Sequence, residues 1–148
     1  MSKIEIKEMT LSDLKQIENT LETEFDNFWN ANILESELKN TLSKYIVAKI
    51  KTEIVGFAGI IDTLDQFEIT NIVVKKDFRK NGVGNALIAE LIKLAQINNN
   101  KDKIILEVNK TNLPAIKLYE KNGFQNIGLR KKYYNNTDDA NIMALQLK

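Results

Sequence analysis

The stretch from Ile72 to Leu87, Ile-Val-Val-Lys-Lys-Asp-Phe-Arg-Lys-Asn-Gly-Val-Gly-Asn-Ala-Leu, constrains the fold more than any other part of the sequence. A β-branched apolar run, a polar turn carrying Gly82 and Gly84, and an amphipathic helix follow one another without a spacer. That order puts a row of unpaired backbone N–H groups at a helix N-terminus, pointing off the end of a strand. The helix dipole adds to their attraction for anions, phosphate above all. Glycine at 82 and 84 is expected to let a pyrophosphate approach the backbone where a side chain would hold it off. The spacing is neither that of a P-loop, which needs a Lys-Ser/Thr pair after its second glycine, nor that of the dinucleotide fingerprint, which needs a third glycine. It reads Arg-x-x-Gly-x-Gly, from Arg79 to Gly84.

The 148 residues form a single expected domain, 1–148, long enough to bury a sizeable core. Cysteine and histidine are both absent, which removes disulfides, thiolate and imidazole metal ligands, a Cys nucleophile and the Ser-His-Asp arrangement. Acid–base chemistry therefore falls to Glu, Asp, Tyr or Lys, and no metal is expected. A net charge of +1 provides no global field for nucleic acid. The N-terminus Met1-Ser2-Lys3-Ile4-Glu5 has no apolar core of a signal peptide, and no window reaches membrane-spanning length. The expectation is a cytoplasmic, soluble monomer.

Apolar periodicity predicts the elements. A strand from Ile4 towards Met9 precedes a helix capped by Thr10 or Ser12, with Leu11, Leu14, Ile17 and Leu21 at helical spacing. A second helix lies between Asn27 and Asn40, with Phe28, Trp29, Ile33, Leu34 and Leu38 on its apolar face. Strands at Tyr45–Ala48 and Ile54–Ile61 are joined by the short Lys51-Thr52-Glu53 connection, and Phe67–Val74 is a third. A helix from Val83 to about Ile97, a buried-type strand Ile104–Val108 and a helix capped by Thr111 or Asn112 with Pro114 in its first turn come next. Gly123 ends that helix in a left-handed conformation, and strands at 124–131 and 140–147 close the chain. The predicted order is β-α-α-β-β-β-α-β-α-β-β, a mixed α/β fold.

Four segments recur together in this order: the glycine turn, Leu106-Glu107-Val108-Asn109, the block Asn112…Ala115…Leu118-Tyr119…Gly123-Phe124, and Tyr133-Tyr134…Ala144-Leu145. In that combination the chain resembles the GNAT superfamily of N-acetyltransferases, and within it the RimI-like branch that acetylates the α-amino group of a ribosomal protein. The resemblance implies a GNAT fold with a mostly antiparallel sheet flanked by helices, and acetyl-CoA as co-substrate. It implies main-chain contacts from Ile72, Val73 and Val74 to the pantetheine arm, as to an added strand. It implies that Arg79, Lys80, Asn81, Gly82, Val83, Gly84 and Asn85 surround the pyrophosphate, and that Asn112 hydrogen-bonds the cofactor. Lys75 and Lys76 are taken as solvated surface.

Glu107 is the expected proton acceptor. A charge inside Ile-Ile-Leu-Glu-Val needs a cleft or a partner, and partial burial would raise its pKa towards neutrality. A solvated edge-strand glutamate is the bland alternative. Tyr119 is the expected acid towards the leaving thiolate, with a core tyrosine as its alternative. Tyr133 and Tyr134 fall where the resemblance implies aromatic side chains over an incoming peptide, with Asp138 and Asp139 able to attract its ammonium. Glu68 and Thr70 line the same cleft, and Glu68 is a reserve base. The implied acceptor is a protein N-terminus, such as that of a small-subunit ribosomal protein. A small amine or lysine side chain is the alternative acceptor, and a non-catalytic acyl-CoA-binding module is the alternative class.

Overall fold

The computed structural model describes residues 3–25, 30–98, 100–131 and 138–147. Along the chain it places β1 (Ile4–Glu8), α1 (Leu11–Ile17), α2 (Leu21–Phe25), α3 (Ala31–Lys39), β2 (Ser43–Ile50), β3 (Glu53–Asp62) and β4 (Phe67–Val74). After a 3-10 turn at Lys76–Phe78 come α4 (Val83–Asn98), β5 (Lys103–Asn109), α5 (Leu113–Lys121), β6 (Gln125–Arg130) and β7 (Ala140–Gln146). The strands form one seven-stranded sheet in the order β1-β2-β3-β4-β5-β7-β6. Every neighbouring pair is antiparallel except β4 and β5.

The predicted order holds except near the N-terminus, where two expected helices are three. Thr20 makes the break: its backbone N–H and its hydroxyl both donate to the Ile17 carbonyl, at 2.9 and 3.1 Å. A side chain that satisfies the last carbonyls of a turn competes with continuation of the helix. The cap at the other end of α1 is Thr10. Its hydroxyl accepts from the Asp13 N–H at 3.1 Å while the Asp13 carboxylate accepts from the Thr10 N–H at 2.9 Å, a reciprocal capping box.

Asp13 is 4% exposed and also pairs with Lys49 of β2 at 3.1 Å, tying α1 to the sheet. Burial pushes its carboxyl up, but the Thr10 N–H, the Lys49 ammonium and the Thr10 hydroxyl together outweigh that and hold its pKa below the ordinary value. A depressed folded-state pKa contributes stability that is present above the unfolded value and lost as pH falls through the folded one. Thermal stability should therefore decline below about pH 4. Asp13→Asn should cost about 1–2 kcal/mol at neutral pH and remove part of that acid dependence, as melts at pH 7 and pH 3 would read.

Alternation along the strands divides the core in two. One face of the sheet, with Ile46, Val55, Ala58, Ile104 and Leu106, packs on Val83, Leu87, Ile88 and Leu91 of α4, and α5 joins through Ala115, Ile116, Leu118 and Tyr119. The other face, with Tyr45, Val47 and Phe57, packs on Leu14, Ile17, Leu21, Phe25 and Leu34 of the three N-terminal helices. Gly56 lets α4 approach: a Cβ there would lie 3.0 Å from Val83 Cγ1 and 2.9 Å from the Val73 carbonyl oxygen.

The sheet parts along one seam. β4 and β5 are in register only at Phe67 with Ile104 and Glu68 with Ile105. From Ile69 to Val74, β4 keeps β3 on one side, and nothing in β5 pairs with the other. Thr70 marks the parting. The β3–β4 register shifts between Gly59, opposite Asn71, and Ile60, opposite Ile69, so Thr70 is the extra residue of a bulge. A bulge adds twist and bends its strand. The Tyr45 hydroxyl bonds Thr70 Oγ1 at 2.9 Å and fixes it there.

Candidate active site

The open edge of β4 runs straight into the glycine turn. Lys80 and Gly82 both have positive φ, 67° and 86°. Alternating hand along a short backbone stretch turns successive N–H groups to one side and forms an anion-binding concavity, which the first turn of α4 extends. A Cβ on Gly82 would project into open space, so its conformation, rather than crowding, calls for glycine. Gly84 departs from the sequence reading. It lies inside α4, where a Cβ would come 3.2 Å from Leu118 Cδ2, so it serves the packing of α4 on α5. Val83 is 1% exposed and contributes side-chain packing to the core.

Neighbouring side chains brace this turn. Arg79 Nε donates to the Val74 carbonyl at 3.2 Å. Asn85 Oδ1 accepts from Asn122 Nδ2 at 3.1 Å, and the same amide donates to the Leu118 carbonyl at 2.9 Å, which ties the start of α4 to the end of α5. Lys75 is not the solvated surface residue expected. Its ammonium bridges Glu24 of α2 and Glu53 of β3 at 2.8 and 2.7 Å, and those bonds raise its pKa. Nothing local in the sequence announces that bridge.

Tyr119 stands on α5, on the face of the sheet that α4 covers. Asn112 caps that helix, its side-chain oxygen accepting the Ala115 N–H at 3.2 Å, with Pro114 in the first turn. At the other end Gly123 (φ 97°) sends its N–H to the Glu120 carbonyl while the Phe124 N–H reaches the Tyr119 carbonyl, both at 3.0 Å. This is the Schellman motif, with Phe124 making the apolar contact that goes with it. Its ring centroid lies 6.0 Å from that of Tyr119. The helix stop thus orients the tyrosine. Burial pushes the Tyr119 hydroxyl up to about 12, and it makes no hydrogen bond to a described residue. A phenol held neutral keeps a proton to give.

Glu107 points the other way. Ile104, Leu106 and Val108 of β5 face the α4 core, so Ile105, Glu107 and Asn109 face the opposite side, with Glu68 and Thr70 of β4. Glu107 and Tyr119 therefore lie on opposite faces of the sheet, and a reaction using both must run through the gap between β4 and β5. The partial burial expected of Glu107 is not found: its side chain is 38% exposed, and Arg130 Nη1 of β6 donates to its Oε2 at 2.9 Å. Arg130 escaped sequence reasoning because β7 lies between the two strands.

Asp138 and Asp139 are already engaged. Asp138 accepts from Asn109 Nδ2 at 3.1 Å, and Asp139 pairs with Lys110 at 3.6 Å. They tie the start of β7 to the end of β5 and are not the free ammonium attractors expected. Asn109 also accepts from the Thr111 N–H and hydroxyl at 2.9 and 2.8 Å, shaping the turn into α5. Tyr133 and Tyr134, and Phe28 and Trp29 of the first helical region, lie outside the described residues. No helix among the described residues is long and apolar enough to cross a membrane.

Comparison with known proteins matches this geometry to one family. The model of the acetyltransferase (GNAT) family matches residues 11–124. A Bacillus subtilis protein named as a candidate ribosomal protein bS18-alanine N-acetyltransferase is 31% identical over 144 residues, covering 96% of this chain and 95% of its own. An N-alpha-acetyltransferase of Sulfolobus acidocaldarius is 31% identical over 155 residues, covering 97% and 92%. The crystal structure of the ribosomal-protein-S18-alanine N-acetyltransferase from Escherichia coli superposes with a TM-score of 0.86 at 28% identity, over 99% of this chain and 95% of that one. The parted β4–β5 seam, the glycine turn and the family match agree: this chain belongs to the acetyltransferase (GNAT) family.

Proposed function

We propose that this chain is a single-domain protein N-terminal acetyltransferase spanning 1–148, acting in the cytoplasm as a monomer, with a small-subunit ribosomal protein as acceptor. The observation that carries this reading is the seam, open along Ile69–Val74, with Tyr119 on one face and Glu107 on the other. Names of relatives support the acceptor class: two are named for alanine N-acetylation of ribosomal protein S18, and a third is named an N-alpha-acetyltransferase.

Acetyl-CoA is the donor. Its extended pantetheine arm pairs with the free edge of Ile72, Val73 and Val74 as an added strand would. The N–H groups from Lys80 to Asn85 take the pyrophosphate, and the amide hydrogens of Asn112, which have no partner among the described residues, are available to the arm. The acceptor α-amine enters from the Glu107 face, where Glu68 contacts the peptide; the family resemblance gives Tyr133 and Tyr134 to peptide binding as well. Its nitrogen attacks the thioester carbonyl; the C–N bond forms and the C–S bond breaks. Glu107 takes the amine proton through water, and Tyr119 gives its proton to the departing sulfur. Transfer is direct because no Cys or His is present to carry an acyl group.

Release of free CoA, measured with a panel of acceptors, tests this. Turnover is expected on peptides with a free N-terminus and not on blocked peptides with an internal lysine or on a polyamine. Glu107→Gln should reduce it about a hundredfold or more. Turnover confined to lysine or polyamine overturns the acceptor. Binding of acetyl-CoA without turnover overturns the enzyme reading in favour of an acyl-CoA-binding module.

A further inference from the structure

Resting on the reading of Glu107 as the base, we propose that Arg130 is its positioning residue. A glutamate standing out from a strand has three rotatable bonds and no fixed direction, and proton transfer needs its oxygen within hydrogen-bond reach of one place. Arg130 removes that freedom. Its Nη1 donates to Glu107 Oε2 at 2.9 Å, and Oε1 is left without a partner among the described residues. One oxygen is held and the other is available to the acceptor or its water.

The sheet is built to let this contact form across an intervening strand. Gly128 of β6 stands opposite Ile142 of β7, which stands opposite Glu107; Arg130 stands opposite Ala140, which stands opposite Asn109. The arginine therefore reaches diagonally over β7. Ile142 stands beside Glu107 on the same face, so the diagonal passes between its side chain and the methyl of Ala140, and Gly128 offers only a hydrogen on the arginine's side. The pair is exposed, 65% on the arginine and 38% on the glutamate, so it adds little to stability. Its consequence lies in orientation.

A double-mutant cycle on the full chain, with acetyl-CoA and a free-N-terminus peptide, decides the matter. Arg130→Gln should lower kcat about tenfold to a hundredfold with the KM for acetyl-CoA and the Tm unchanged, and Arg130→Lys should recover part of the loss. Adding Arg130→Gln to Glu107→Gln should cost nothing more, since a positioning residue has nothing left to position. Losses that multiply in the double variant overturn the proposal, as does wild-type kcat in Arg130→Gln beside a strongly impaired Glu107→Gln. Full turnover in Glu107→Gln overturns the base itself, and the role of Arg130 with it.

Discussion

Tyr119→Phe should lose about a hundredfold or more in kcat while keeping the wild-type KM for acetyl-CoA and the wild-type Tm. The ring that packs on Phe124 stays, and the hydroxyl that goes makes no hydrogen bond to a described residue, so the change removes chemistry and leaves packing. The sign of its pH dependence follows from burial. A tyrosine whose folded pKa is raised contributes stability that is full below the unfolded value and lost as pH rises through the folded one. Wild-type stability should therefore fall between about pH 10 and the folded value of about 12, and Tyr119→Phe should lack that component. Because the phenol stays protonated throughout the working range, the alkaline limb of turnover should not come from Tyr119 below that value. Wild-type kcat in Tyr119→Phe would return the residue to the core as an ordinary packed aromatic.

Gly59→Ala should destabilise the fold by about 3 kcal/mol, a fall of about 6–12 °C in Tm for a chain of this size. Gly59 of β3 is the register partner of Tyr45 on β2, and a Cβ at 59 would sit inside the Tyr45 ring. The ring has little room to yield. Tyr45 is 4% exposed, and its hydroxyl is committed to Thr70. Turning the ring aside breaks that bond and frees the bulge at which β4 leaves β5, so activity should fall along with stability. Placing Tyr45→Ala in the same chain relieves the collision. The double variant should then be clearly less damaged than the sum of the two single changes, as paired melts would read. Additive losses would mean that the ring is not what requires glycine at 59.

The parts of this molecule that could be read in advance are those written in local chemistry. Asn112 and Pro114 begin α5 and Gly123 ends it, because caps act within one helical turn. The strand Phe67–Val74 and the helix from Val83 follow from the change from strand to helical periodicity on either side of the glycine turn. Tyr119 came with α5, since its neighbours Ala115, Ile116 and Leu118 fix the inward face. The break at Thr20 is also local, but a single hydroxyl overrode an otherwise continuous apolar stripe. What could not be read is set by strand order. The insertion of β7 between β5 and β6 is a tertiary choice, and it alone brings Arg130 to Glu107 and Asp138 to Asn109. The same holds for Lys75, whose partners lie 51 and 22 positions earlier in the chain. Burial of Glu107 was inferred from the apolar residues beside it, but strand neighbours in sequence face opposite sides, so Leu106 and Val108 say little about its surroundings.

Beyond Phe67 and Glu68 the sheet is short by one strand. An extended arm lying in the gap would take up the hydrogen bonds that a neighbouring strand would otherwise fill, and for as long as it stayed it would be part of the architecture. Its arrival and departure would then be a zipping and an unzipping between the unpaired end near Val74 and the paired end near Phe67. A reactant that completed the framework and was consumed there would tie turnover to the integrity of the sheet.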